Sequence, residues 1–178
     1  MDISPGMLRQ CRQNFQVNNY SFRLAACSAE ALPFVDKAFD LVFSFATLAI
    51  VPDINRAFAE IYRALKPGGI AILDITGKYN LSQRHWNRFY RRQGHFGLHA
   101  FSLSGVSQIL VDLGFEILEV HPLGFLDQWK YIPGLHKLTF LEKISHAELK
   151  GADLDYRVTR ILRFAANHWY IVARKKDR

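Results

Sequence analysis

Phe39-Asp40-Leu41-Val42-Phe43-Ser44-Phe45-Ala46 is followed by Pro52-Asp53, a helical pattern, Leu65-Lys66-Pro67-Gly68-Gly69, and then Ile70-Ala71-Ile72-Leu73-Asp74-Ile75. The first run is short and nearly all apolar, the composition of a strand buried on both faces. Asp53 suits a helix N-cap, because its carboxylate can accept free backbone N–H groups of the first turn. Ile54, Ala57, Phe58, Ile61, Tyr62 and Leu65 recur at steps of three and four, which gives one apolar helix face. Pro67-Gly68-Gly69 predicts the helix stop, with a glycine free to take a left-handed C-cap. A second buried strand over Ile70–Ile75 completes a strand–helix–strand unit, which requires a parallel pair and a right-handed crossover.

A chain of 178 residues suits one α/β domain with a substantial core. No apolar run reaches the ~18–20 residues of a membrane span, and Arg9, Arg12 and Arg23 interrupt the first apolar stretches, unlike a signal peptide. Two cysteines, Cys11 and Cys27, form neither a disulfide framework nor a zinc site, so a reducing cytoplasm is the expected setting. The formal charge is +7, with Arg84, Arg88, Arg91 and Arg92 in one cluster and Arg174, Lys175, Lys176 and Arg178 in the tail. A solvated helix face and a frayed terminus account for both. The sharper reading is a surface for nucleic acid, anionic lipid or an anionic substrate.

Outward from the central unit, Ser4-Pro5 starts a helix, Asn18-Asn19 marks a turn, and Tyr20–Ala26 can form a short strand. Asn80-Leu81-Ser82 can cap a helix with Trp86, Phe89 and Tyr90 on one side and arginines on the other. Ser102 or Ser104 caps a helix ended by Gly114, followed by a strand over Phe115–Val120 that stops at Pro122. Residues 123–150 form an aromatic-rich insertion, 154–164 reads as helical, and Asn167–Arg174 as the final strand.

Asp2-Ile3-Ser4-Pro5 with Met7-Leu8, Ala29-Glu30 with Leu32-Pro33-Phe34, Phe39-Asp40-Leu41-Val42, and Arg63-Ala64-Leu65-Lys66-Pro67-Gly68-Gly69 stand in that order. Together they resemble class I S-adenosylmethionine-dependent methyltransferases, in the small-molecule branch that includes quinone-biosynthesis enzymes. The motifs cover residues 2–76, and strand–helix order extends the resemblance more weakly to the end. It implies a doubly wound, Rossmann-like sheet, mostly parallel with an antiparallel last strand. It also implies a single domain over 1–178, with 1–76 as the cofactor side and 77–178 as the substrate side. The family's first strand and glycine-rich loop have no counterpart in this sequence. The expectation is therefore an N-terminally shortened chain that holds the cofactor weakly.

The resemblance assigns cofactor contacts to Asp2, Ile3, Ser28, Ala29, Glu30, Ser44 and Phe45. A carboxylate at a strand end can accept both ribose hydroxyls, which is the role implied for Asp2, with Ile3 against one adenine face. Asp2 as a solvated residue or helix cap is the other reading. Ser28 stands where the family usually has aspartate, so a hydroxyl replaces a charge at the adenine edge. Ser44 and Phe45 end a strand, where ligands bind in doubly wound sheets.

Trp86, Tyr90, His95, Phe96 and Trp129 are the candidate substrate-binding residues, suited to an apolar or aromatic acceptor. His95 and His99 have metal-ligand spacing, yet Gly94 and Gly97 oppose a helix there. The two histidines fit better as bases beside a substrate, and no catalytic residue is assigned. The expected activity is methyl transfer from S-adenosylmethionine to a small, apolar or ring-containing molecule. A catalytically inactive subunit that binds a partner and an RNA-directed methyltransferase remain the alternatives. Loss of neighbouring strands would make Phe39–Ala46 an exposed edge, through which the chain would self-associate.

Overall fold

The computed structural model describes residues 1–131 and 150–177. Helix α1 spans Pro5–Val17, with Ser4 as its cap and Ser4 Oγ accepting the Met7 N–H. Strand β1 is Phe39–Ser44, helix α2 is Ile54–Ala64, and strand β2 is Leu65–Thr76. Helices α3, Gln83–Arg92, and α4, Leu103–Leu113, precede strand β3, Phe115–Leu123. Helix α5, Lys150–Ile161, leads to strand β4, His168–Lys175.

The four strands form one sheet in the order β1-β2-β4-β3. β1 runs parallel to β2, and β4 runs antiparallel to both β2 and β3. Three strands therefore share a direction and the last one is reversed, which is the sheet implied by the resemblance. The β1–α2–β2 unit forms as its pattern predicts. Asp53 Oδ1 accepts the Arg56 N–H at 3.1 Å, and the α2 face of Ile54, Ala57, Phe58, Ile61 and Ala64 is buried. Ala71, Leu73 and Ile75 of β2 and Trp169, Ile171 and Ala173 of β4 meet it, joined by Val106 and Leu110 of α4. Phe58 is fully buried at the centre of this layer, and its truncation to alanine would cost about 3–5 kcal/mol.

Four details differ from the sequence expectation. α2 stops at Leu65, whose backbone is already extended, and not at a glycine. The Lys66–Gly69 segment instead bulges within β2: Phe39 pairs with Leu65 and Leu41 with Ile70, so three extra residues are looped out around Gly68 at φ 73°. β1 is the edge strand expected above, but its Leu41 and Phe43 are exposed, so only one of its faces is covered instead of both. Tyr20–Ala26 forms no strand beyond a single parallel bridge between Ala26 and Asp2, detached from the sheet. Pro122 lies inside β3 rather than ending it, and its missing N–H is tolerated because β3 is the opposite edge strand.

Candidate functional site

Ser44 and Phe45 stand at the carboxyl end of β1, and Asp2, Ile3 and the Ser28–Glu30 loop lie in the segments that precede it. Asp2 is fastened to residues 25–27: its N–H donates to the Ala25 carbonyl, and its own carbonyl accepts the Cys27 N–H. One carboxylate oxygen, Oδ1, accepts the Ser4 N–H at 2.7 Å. The second has no partner among the described residues. Ile3 beside it is 74% exposed.

Ser28 spends its hydroxyl inside its own loop, donating to Glu30 Oε2 and accepting the Glu30 N–H, both at 3.1 Å. This leaves one lone pair for any ligand. Glu30 Oε1 in turn accepts the Asp53 N–H at 2.7 Å, tying the loop to the start of α2. Ala29 packs against the core. The Ser28–Glu30 loop is thus held beside the segment that leaves β1.

Ser44 ends β1 and Phe45 follows it, 62% exposed, with its ring stacked on Tyr170 of β4 at 6.0 Å. Ala46 takes a left-handed backbone, φ 52°, which a residue with a side chain rarely adopts. That turn aims the Ala46 N–H at Asp74 Oδ2, 3.0 Å away. Asp74 is buried in β2, and its other oxygen accepts Nδ1–H of His168 at 2.6 Å. One carboxylate therefore joins the exit of β1 to the start of β4. His168 keeps 32% of its side chain exposed, whereas Asp74 keeps 2%.

Beyond them, Tyr170 stacks with His168 at 6.5 Å. Burial and the negative charge of Asp74 push the Tyr170 hydroxyl up to about 12, so it remains a proton donor at neutral pH.

A run of rings extends the site. Trp86 lies 6.1 Å from Tyr90, Tyr90 lies 6.0 Å from His95, and Phe96 lies 4.7 Å from His99. The His99 N–H donates to the Ala49 carbonyl, and its Nε2 donates to the carbonyls of Val51 and Pro52, at 2.9 and 3.2 Å. The 95–101 segment is thereby fixed over the loop after β1. His99 serves there as an anchor. Trp129 falls in the short 3-10 turn Leu126–Tyr131, and its side chain lies outside the described residues, as do residues 132–149 of the aromatic insertion. Among the described residues no group of three or more metal-ligating side chains occurs, and no helix is long and apolar enough to cross a membrane. The arginines of α3, with Asn87, line an open depression of their own.

The Asp74–His168 pair and Tyr170 escaped the sequence reading. A signal for Asp74 existed: an acid inside the apolar run Ile70–Ile75 needs a buried partner. Nothing local named His168, which lies 94 residues away.

Known proteins resemble this chain in sequence and in fold. The methyltransferase domain family matches residues 1–73. A ubiquinone/menaquinone biosynthesis C-methyltransferase of Rickettsia bellii is 41% identical over 70 residues, 38% of this chain and 28% of that protein. Malonyl-[acyl-carrier protein] O-methyltransferase 1 of Coxiella burnetii is 28% identical over 116 residues, 65% of this chain and 37% of that protein. The chain thus spans well under half the length of these curated relatives. A Haemonchus contortus phosphoethanolamine N-methyltransferase, solved with S-adenosylhomocysteine, superposes with a TM-score of 0.60 at 24% identity, over 99% of this chain and 43% of that one. Residues 1–73 thus match the methyltransferase domain family in sequence, and the chain as a whole shares the fold of solved methyltransferases.

Proposed function

We propose that this chain takes part in methyl transfer from S-adenosylmethionine to a small, ring-containing acceptor bound at the carboxyl ends of β1 and β2. The observation that carries the reading is the set of hydrogen bonds that fastens Asp2 to residues 25–27 and the adjoining Ser28–Glu30 loop to the start of α2, within the stretch that matches the methyltransferase family. These residues fit the adenosine half of the cofactor. Asp2 has a carboxylate oxygen without a partner among the described residues, able to accept ribose hydroxyls, and Ile3 offers an exposed apolar surface to the base. Ser28 and Ala29 would border the adenine edge, and Ser44 and Phe45 the reacting end.

When bound, the cofactor supplies an electrophilic methyl group on a positively charged sulfur. The protein's part is alignment and exclusion of water. Trp86, Tyr90, His95, Phe96 and Trp129 would cover the acceptor with aromatic surface, and the open faces of Phe45 and Tyr170 suit a flat ring. The relatives are named for ubiquinone/menaquinone biosynthesis C-methylation and malonyl-[acyl-carrier protein] O-methylation, which supports a small acceptor group over a nucleic acid.

Calorimetric titration with S-adenosylhomocysteine tests the reading. Saturable binding is expected, with a dissociation constant no weaker than on the order of 1 mM. Absence of saturable binding would overturn it.

A further inference from the structure

Asp74 and His168 form a buried-to-exposed pair on the open face of the sheet. The carboxylate accepts only, so Nδ1 of His168 must carry the proton between them. In the neutral ring Nε2 is then left as an acceptor, and it has no hydrogen-bond partner among the described residues. The second oxygen of Asp74 is held by the Ala46 N–H, so the carboxylate cannot rotate away without breaking the exit of β1. A histidine whose tautomer is fixed by a buried acid, with its other nitrogen toward solvent, is the arrangement of a general base.

We infer that His168, oriented by Asp74, removes the proton from a phenolic hydroxyl, so that the acceptor is a hydroxylated aromatic ring. The inference rests on the methyl-transfer reading above. The acceptor oxygen uses an electron pair to bond the methyl carbon as the carbon–sulfur bond breaks, with that bond's pair remaining on a now neutral sulfur. The hydroxyl proton ends on Nε2 of His168 and passes to water across its exposed edge. His168 touches the reacting hydroxyl and is catalytic; Asp74 acts through it and is a positioning residue.

The chemistry selects the class of acceptor. An imidazole can assist ionisation of a phenol near ~10, whereas an aliphatic alcohol lies far beyond its reach. The rings agree, because Phe45, Tyr170 and His168 stack in sequence across one face at 6.0 and 6.5 Å and present flat surfaces to a flat ligand. Tyr170 keeps its own proton at neutral pH and so does not compete as a base.

Other groups surround the pair. β2 contributes Thr76, opposite His168 in register, along with Asp74. β3 places Leu123 opposite His168 and His121 opposite Tyr170, with Glu119 bonded to His121 at 2.8 Å. Tyr156 of α5 reaches His121 at 3.5 Å. His121 is therefore the neighbouring imidazole whose contribution must be separated from that of His168.

The test uses 4-nitrophenol, whose phenolate is yellow and whose phenol is not. At a pH one unit below the probe's own pKa, the wild-type chain should bind it partly as phenolate, with and without S-adenosylhomocysteine. His168→Gln should retain binding yet raise the bound probe's apparent pKa by about one unit, up to a tenfold loss of phenolate, whereas His121→Gln should leave the band unchanged. Nitrogen-15 NMR of the wild-type imidazole should show protonated Nδ1 and unprotonated Nε2, and Asp74→Asn should populate the opposite tautomer.

A wild-type His168 protonated only at Nε2 would overturn the inference. So would an equal phenolate band in wild type and His168→Gln, or no saturable binding of the probe. Calorimetry with S-adenosylhomocysteine separates the two readings. Normal cofactor binding without a phenolate band removes the base alone, and a phenolate band without cofactor binding removes methyl transfer alone.

Discussion

Lys175, on the last strand, closes the end of α2 near Tyr62. Its Nζ donates to the carbonyl oxygens of Tyr62 at 2.7 Å and Leu65 at 2.8 Å, and it sits 4.3 Å from the Tyr62 ring centroid. A cation at a helix C-terminus satisfies carbonyls that have no partner within the helix. Here it also joins the last strand of the chain to the helix that follows the first.

Lys175→Met keeps the apolar stem and removes the charge, leaving two carbonyls unsatisfied. The expected loss is about 2–4 kcal/mol of unfolding free energy, read as a lowered urea midpoint at unchanged slope. A loss below about 0.5 kcal/mol would show that water replaces the ammonium without cost.

Tyr170 gives stability a pH dependence with a defined sign. Its hydroxyl is pushed up to about 12 in the folded chain by burial and by Asp74, against ~10 for an unfolded tyrosine. Below pH ~10 the group is protonated in both states. Between ~10 and 12 the unfolded chain gives up this proton first, so stability falls with rising pH. Tyr170→Phe should remove that part of the decline, measured as the difference between the two urea midpoints from pH 9 to 12.

Gly77 tolerates no side chain. A Cβ there would run into the carbonyl of Ala166 and approach Trp169 Nε1 at 3.3 Å, while the Gly77 N–H already donates to the Asn167 carbonyl at 2.8 Å. Gly77→Ala is expected to destabilise by about 2–4 kcal/mol, seen as a drop in Tm. An unchanged Tm would mean that the 166–167 backbone gives way freely.

The central unit and its caps were legible in the sequence because each rests on a local cause. Asp53 and Ser102 accept N–H groups three residues ahead, and Gly114 takes φ 107° after α4. The bulge at Lys66–Gly69 was hidden, since Pro-Gly-Gly reads equally as a helix stop and as a strand irregularity. The exposure of β1 was half hidden. Its apolar run fits a doubly buried strand, and only its place in the sheet makes it an edge. The candidate cofactor residues lay in recognisable motifs, whereas Asp74 and His168 meet only through strand register: Asp74 faces Tyr170, and Thr76 faces His168. No pattern confined to one segment carries that pairing.

Edge strand β1, with Leu41 and Phe43 exposed and Phe45 exposed just after it, is the kind of edge that recruits another strand. The chain is expected to self-associate in sedimentation velocity at micromolar concentration, and Phe43→Lys should shift it toward monomer. A wild-type monomer at all concentrations would contradict this expectation.

Asp2→Ala should weaken S-adenosylhomocysteine binding by one charged hydrogen-bonding group, roughly 1.5–3 kcal/mol, in calorimetry. An unchanged dissociation constant would remove Asp2 from the site.

The most direct measurement of the central proposal is a crystal structure with S-adenosylhomocysteine. The account predicts ribose hydroxyls on the free oxygen of Asp2, adenine against Ile3 and bordered by Ser28 and Ala29, and the sulfur turned toward Phe45. A nucleoside bound elsewhere, with the Asp2 carboxylate untouched, would contradict it.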